Sequence, residues 1–106
     1  MKKFLGDFEE LTLLAVLSLG NDAYGVSIAE KIEEESGKRV SIGSLYTTLG
    51  RLEQKGYLRS EIGEATEERG GRAKKYYFLE GLGDKVLREN YNIKSKWYER
   101  LVPQHS

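Results

Sequence analysis

Cysteine is absent from the 106 residues, which excludes disulfides, thiolate nucleophiles and Cys-ligated zinc. The one histidine, His105, sits beside the C-terminal residue, so imidazole acid–base chemistry has no second partner. The single proline, Pro103, falls beyond the last regular pattern. Long apolar runs are missing too. Residues 11–19, interrupted by Thr12 and Ser18, are too few to span a bilayer. Lys2 and Lys3 precede that run as in a secretory signal, but Asp7, Glu9 and Glu10 intervene and no A-x-A site follows. The run reads as a helix of the mature protein, with the cytoplasm as the expected location and no membrane partner. No spacing of Asp and Glu suggests a carboxylate catalytic site. The chain is therefore expected to be no enzyme, with no cofactor and no metal.

An excess of either charge is also lacking: 17 basic residues face 17 acidic ones. The balance hides a pattern. Residues 1–37 carry 3 basic and 8 acidic groups, net −5, whereas residues 38–60 carry 5 and 1, net +4. Four glutamates give residues 61–68 a net −4, and Arg69, Arg72, Lys74 and Lys75 give residues 69–79 a net +4. Two basic segments thus stand between acidic ones. With 39% hydrophobic and 32% charged residues, the composition is that of one folded, highly charged domain. A domain this short buries only about 60–70% of its unfolded surface, so burial against a partner would help it.

Glycine punctuates the chain. Gly20, Gly37 and Gly56 each follow a helical pattern, where a left-handed cap favours a residue without Cβ. The first helix should span about residues 7–19, with Asp7 as cap and Glu10 in capping-box spacing. It is apolar on nearly every side, which predicts burial on every side. A second helix should cover residues 24–36, with Ile28, Ala29 and Ile32 inward. The run Glu33-Glu34-Glu35 at its end opposes the helix dipole. Ser41 should cap a third helix whose Leu45, Leu49 and Leu52 form one inward stripe. Opposite that stripe fall Gly43, Thr47, Gly50, Arg51 and Gln54, with Ser44 and Tyr46 on the flanks and Glu53 toward the inner side. Residues 57–62 alternate as a strand, and Lys75-Tyr76-Tyr77-Phe78-Leu79 reads as its return partner. A last helix should run from about Gly81 to Leu101.

Three short helices, the third hydroxylic and basic outside, followed by a hairpin with a basic return arm, make a winged helix-turn-helix. The expected fold class is mainly α with a small β-hairpin (α+β), extended by a C-terminal dimerisation helix. A small-residue helix face suits the major groove, where base edges are distinguishable. The segment Arg69-Gly70-Gly71-Arg72-Ala73-Lys74-Lys75 can follow the backbone or enter the minor groove. Ser44, Thr47, Thr48 and Arg51 are the expected specificity residues. Tyr46, Arg72, Lys74 and Lys75 are the expected phosphate anchors, with Ser41, Arg69 and Tyr24 as further candidates; Tyr24, before Gly25, can equally be structural.

Several of these residues carry a resemblance. Leu5-Gly6, the Ala23-Tyr24-Gly25 turn, Gly43-Ser44-Leu45-Tyr46-Thr47-Thr48-Leu49, Arg51-Leu52-Glu53, Lys55-Gly56, Arg69-Gly70-Gly71-Arg72 and Tyr76-Tyr77 together resemble the PadR family of bacterial transcriptional regulators. The resemblance covers about residues 5–83. It implies a winged-helix repressor that binds DNA as a homodimer and is often relieved by a small effector. The single final helix resembles the short branch of that family. Where the family usually has a threonine after the second strand, this chain has Glu80, a poorer cap for the last helix.

That helix points to self-association independently. Leu82, Val86, Ile93, Trp97 and Leu101 form one stripe, and Leu87, Tyr91, Tyr98 and Val102 widen it beyond what one domain needs to cover. A two-fold partner is the common solution. Leu13, Val16, Val86, Tyr91, Trp97, Tyr98 and Leu101 are the expected dimer contacts. The division expected is residues 1–80 for the winged helix and 81–106 for dimerisation and tail. The partners implied are double-stranded DNA with a palindromic operator, a second copy, and a small planar effector stacked on Trp97 or Tyr91. The competing reading is a winged helix that binds protein and not DNA.

Overall fold

Helix α1 covers Asp7–Leu19 in the computed structural model, which describes residues 4–63 and 73–102. Its cap is not Asp7. Gly6 holds the N-cap position, and Oε1 of Glu9 accepts the Gly6 N–H at 2.9 Å. The other Glu9 oxygen accepts the Lys55 ammonium at 3.0 Å. Burial pushes the Glu9 carboxyl up, but the Gly6 N–H and Lys55 outweigh it and hold the group below its ordinary value.

Nor is α1 buried on every side. Leu14 and Leu17 are 44% and 51% exposed, while Leu13 and Val16 lie in the protomer's own core. Leu13 and Val16 are therefore corrected from dimer contacts to core residues. A helix apolar all round carries no sequence signal for which side its own domain claims; here the neighbouring helices claim the side of Leu13 and Val16.

A single 3-10 turn at Gly20–Asp22 leads into α2 (Gly25–Ser36), and α3 follows over Ile42–Gln54. Ile28 and Ile32 of α2 and Leu45, Leu49 and Leu52 of α3 are buried as their spacing predicts. Between these helices Gly37 adopts left-handed backbone with φ 74°, which other residues rarely take. Glu33 turns back to accept the Val40 N–H at 2.8 Å. One member of the glutamate run thus closes the α2–α3 connection, while Glu34 and Glu35 both lie 3.9 Å from Lys31. Ser41 caps α3 by accepting the Ser44 N–H.

Strands β1 (Leu58–Ile62) and β2 (Lys75–Leu79) pair antiparallel, Leu58 opposite Leu79 and Ile62 opposite Lys75. The hairpin is fastened to the helices along β2, where the Tyr77 N–H donates to the Ala23 carbonyl at 2.8 Å and Tyr24 bridges Tyr76. Helix α4 spans Gly81–Leu101. Glu80 stands at its N-cap without a side-chain bond, as a poor cap should. The early turns of α4 pack on the domain through Gly83, Val86, Leu87 and Asn90. Val86 is likewise corrected from a dimer contact to a core residue: it is buried in its own protomer, because the inner half of the apolar stripe is the half that its own domain covers. The buried Asn90 is satisfied, its Oδ1 accepting the Leu5 N–H at 3.0 Å and its Nδ2 donating to the Val86 carbonyl.

The hydrophobic core is one cluster drawn from all four helices and both strands. Past Asn90 no described residue of α4 is buried, and Tyr91, Trp97, Tyr98 and Leu101 are all exposed. The architecture is a winged helix-turn-helix with an overhanging last helix, in a particle 55 Å in its longest dimension. No described helix is long and apolar enough to cross a membrane.

Two glycines test this packing in opposite directions. A Cβ on Gly83 would collide with the Tyr57 carbonyl oxygen, whereas one on Gly50 meets nothing within 4 Å. Gly83→Ala should destabilise the protein by about 1–3 kcal/mol. Gly50→Ala should stabilise it by up to about 1 kcal/mol, through helix propensity alone. Urea denaturation of both variants checks the pair.

Candidate nucleic-acid interface

Burying Leu45, Leu49 and Leu52 turns Gly43, Thr47, Gly50 and Gln54 directly outward, since residues follow one another by about 100° around a helix. Ser44, Tyr46 and Arg51 flank that face and are exposed. Among the described residues Arg51 forms no ion pair. Thr48 does not join them. It is 5% exposed, because it lies three residues from Leu45 and four from Leu52 and so shares their side. Thr48 is accordingly corrected from a specificity residue to a core residue. Ser41 remains exposed, with its hydroxyl oxygen engaged in the cap. The Thr47 hydroxyl is also engaged, donating to the Gly43 carbonyl at 3.0 Å. Gly50, inside the helix, costs it about 1 kcal/mol relative to alanine, and Gly43, in the first turn, costs less. Neither is required by packing: a Cβ on Gly43 would touch only the Ser41 hydroxyl, at 3.9 Å.

A second group of side chains gathers where the hairpin meets α2. The Lys74 ammonium stands 3.8 Å from the centre of the Tyr24 ring, which meets the Tyr76 ring edge-on at 5.7 Å. Tyr46 reaches across from α3, and its hydroxyl lies so close to Gly25 that any Cβ there would collide with it. Tyr24 and Tyr46 line a cleft of about 380 Å³ together with Gly25, Val26, Ala73, Lys74 and Lys75. A cation held on an aromatic face keeps its N–H groups available. With a phenol hydroxyl beside it, this arrangement suits a phosphate oxygen.

Lys75 differs from Lys74. Its ammonium lies 3.8 Å from Oε1 of Glu53, whose Oε2 accepts the Ser60 hydroxyl at 2.6 Å. Burial, then Glu53, then Tyr46 push the Tyr77 hydroxyl above its ordinary value. Glu53 thus joins α3 to both strands, a role that its sequence position toward the inner side did not reveal. The available signal was its isolation as the one acid among the basic residues of 38–60. Gly25 was likewise missed as the position that admits Tyr46. Arg69 and Arg72 lie outside the described residues, and so does the rest of the segment 64–72. Glu61, at the described end of β1, pairs with Arg59 at 2.8 Å.

A separate cleft of about 320 Å³ lies between α1 and α4. Leu14, Leu17, Leu87 and Tyr91 give it apolar walls, and Glu10, Asp84, Arg88 and Lys94 rim it. Lys94 bonds Glu10 across it at 2.9 Å. Trp97 does not line this cleft; it lies farther along α4. Among the described residues no group of acidic or histidine side chains could hold a metal ion.

The sequence model of the Transcriptional regulator PadR-like family matches residues 13–89. A PadR-like transcription factor from Bacteroides fragilis is 32% identical, with a TM-score of 0.69 over 86% of this chain and 85% of its own. A transcriptional regulator from Clostridium thermocellum is 24% identical, with a TM-score of 0.67 over 89% and 91%. A winged-helix DNA-binding protein from STIV shares the fold at 21% identity, with a TM-score of 0.66 over 98% and 100%. Among curated proteins none matches the chain.

The two lysines should differ in a salt titration. Lys74→Ala should lower the slope of log affinity for duplex DNA against log salt by about one, the loss of one phosphate contact. Lys75→Ala should lower it by less, because Glu53 already engages that charge. Equal slopes for the two variants would mean that the Glu53 contact opens on DNA.

Proposed function

Because the chain belongs to the PadR-like family of transcriptional regulators, whose winged helices bind DNA, we propose that it represses transcription as a homodimer on a palindromic operator. The observation that carries the dimer is the far half of α4. Tyr91, Trp97, Tyr98 and Leu101 are 58–69% exposed, on a helix about 31 Å long that overhangs its own domain. Leu14 and Leu17 add an uncovered apolar strip on α1. A soluble protein seldom leaves so many large apolar groups to water on one side unless they meet another surface. A second copy supplies an identical face under two-fold symmetry. Residues 1–80 then read DNA and residues 81–106 join the protomers, although the core itself runs across that division.

Joined in this way, two copies of α3 can enter successive major grooves, roughly 34 Å apart. Ser44, Thr47 and Arg51 face the bases, while Tyr46, Lys74 and the wing residues Arg69 and Arg72 hold phosphates, with Ser41 and Tyr24 nearby. Occupying the promoter in the cytoplasm is the simplest mode of repression for a chain with one reading head. The α1–α4 cleft is of ligand size. Its apolar walls and charged rim suit a small planar effector that stacks on Tyr91, and Trp97, exposed farther along, is free to meet a partner's surface.

Sedimentation equilibrium and anisotropy titration against the chain's own upstream DNA, at two salt concentrations, test this reading together. The wild type should be dimeric at micromolar concentration. Trp97→Asp with Leu101→Asp should give folded monomers, since neither side chain is buried in its protomer, that melt below the wild-type dimer at a temperature independent of protein concentration and bind the operator at least tenfold more weakly. A wild-type monomer that ignores every duplex at low salt would return the reading to a protein-binding winged helix.

A further inference from the structure

We propose that Thr47 reads a thymine through its methyl group and not through its hydroxyl. The inference rests on the DNA-binding reading above and deepens it by naming the base. Thr47 sits on the line of α3 that points straight away from Leu45, Leu49 and Leu52. Its hydroxyl proton is already given to the Gly43 carbonyl at 3.0 Å. That bond uses the hydroxyl's only proton, so what an exposed Thr47 offers a base is an acceptor oxygen tied back toward Gly43 and an apolar γ-methyl. Base pairs present one apolar group in the major groove, the C5-methyl of thymine, and a threonine methyl is a suitable partner for it.

The neighbours of Thr47 agree with contact at close range. Gly43, four residues before it, and Gly50, three after it, share its face, and neither has left-handed backbone. The protein's own packing calls for glycine at neither position. What their missing side chains provide is clearance outside the molecule. The Thr47 methyl becomes the one projection between two bare stretches of helix, so it can reach a groove floor before its neighbours meet the walls. Ser44 and Arg51, on the adjoining flank, keep free polar groups for base edges that need hydrogen bonds.

Two single-group changes separate the methyl from the hydroxyl. Thr47→Ser keeps the hydroxyl and removes the methyl; Thr47→Val keeps a methyl and removes the hydroxyl. The probe is a duplex enriched from a random pool by the wild-type protein, then resynthesised with deoxyuridine replacing one thymidine at a time, which deletes a methyl and leaves pairing intact. At one thymine per half-site the wild type should lose about fourfold in affinity, the worth of one buried carbon group. Thr47→Val should show the same loss, and Thr47→Ser should be weak on the thymine duplex and indifferent to uracil. Far-UV circular dichroism melts should be alike for all three proteins.

Retained affinity in Thr47→Ser with a loss in Thr47→Val would overturn the proposal in favour of a hydroxyl contact. A duplex whose every uracil replacement is silent would overturn it as well. Either result leaves DNA binding standing, whereas failure to enrich any duplex removes the DNA-binding reading itself.

Discussion

Burial of Leu45, Leu49 and Leu52 along one line of α3 decides what the opposite line can be. Those three side chains lock the helix in rotation, and a rotation of one residue would carry Thr48 outward and Thr47 toward the core. Every surface property of the reading face follows from that lock. The methyl and the two bare glycines stand on the outer line, the serine and arginine on one flank, and the tyrosine and glutamate on the other. A helix held less firmly would present a blurred surface, and discrimination between bases depends on contacts placed to within a fraction of an ångström.

The hairpin is positioned by polar bonds where α3 is positioned by apolar ones. Glu53 accepts the Ser60 hydroxyl of β1 and pairs with the Lys75 ammonium of β2, and the Tyr77 N–H donates to the Ala23 carbonyl just ahead of α2. Tyr46 leans on Gly25 from the other side. The base of the wing is thus set against both helices of the helix-turn-helix. A carboxylate so near a surface suited to phosphate is an electrostatic cost, and what offsets it is the geometry it secures.

The helices and strands were legible in the sequence nearly to the residue, because glycine stops, a serine cap and clean apolar spacing all agreed. Thr47, Ser44 and Arg51 could be placed outward for the same reason. What failed had no periodic signal. Leu13 and Leu14, or Val16 and Leu17, are equivalent on a helix that is apolar all round, so only three-dimensional packing could say which pair faces in. Thr48 was drawn into the reading face by its chemistry although its spacing from Leu45 and Leu52 already argued otherwise. Glu9, Glu33 and Glu53 act through contacts that sequence spacing does not encode: a cap, a turn closure and a bridge from helix to hairpin.

One route through the molecule joins regions far apart in the chain. Asn90 of α4 holds the Leu5 N–H; the next residue, Gly6, is held by Glu9; and Glu9 holds Lys55 at the end of α3. These bonds lie in series, two of them to backbone N–H groups and the last to the ammonium of a partly exposed lysine. The overhanging helix is therefore connected, through the chain just ahead of α1, to the C-terminal end of α3. In the proposed dimer, the helix that joins the two copies is in this way tied to the same few polar atoms that finish the reading head.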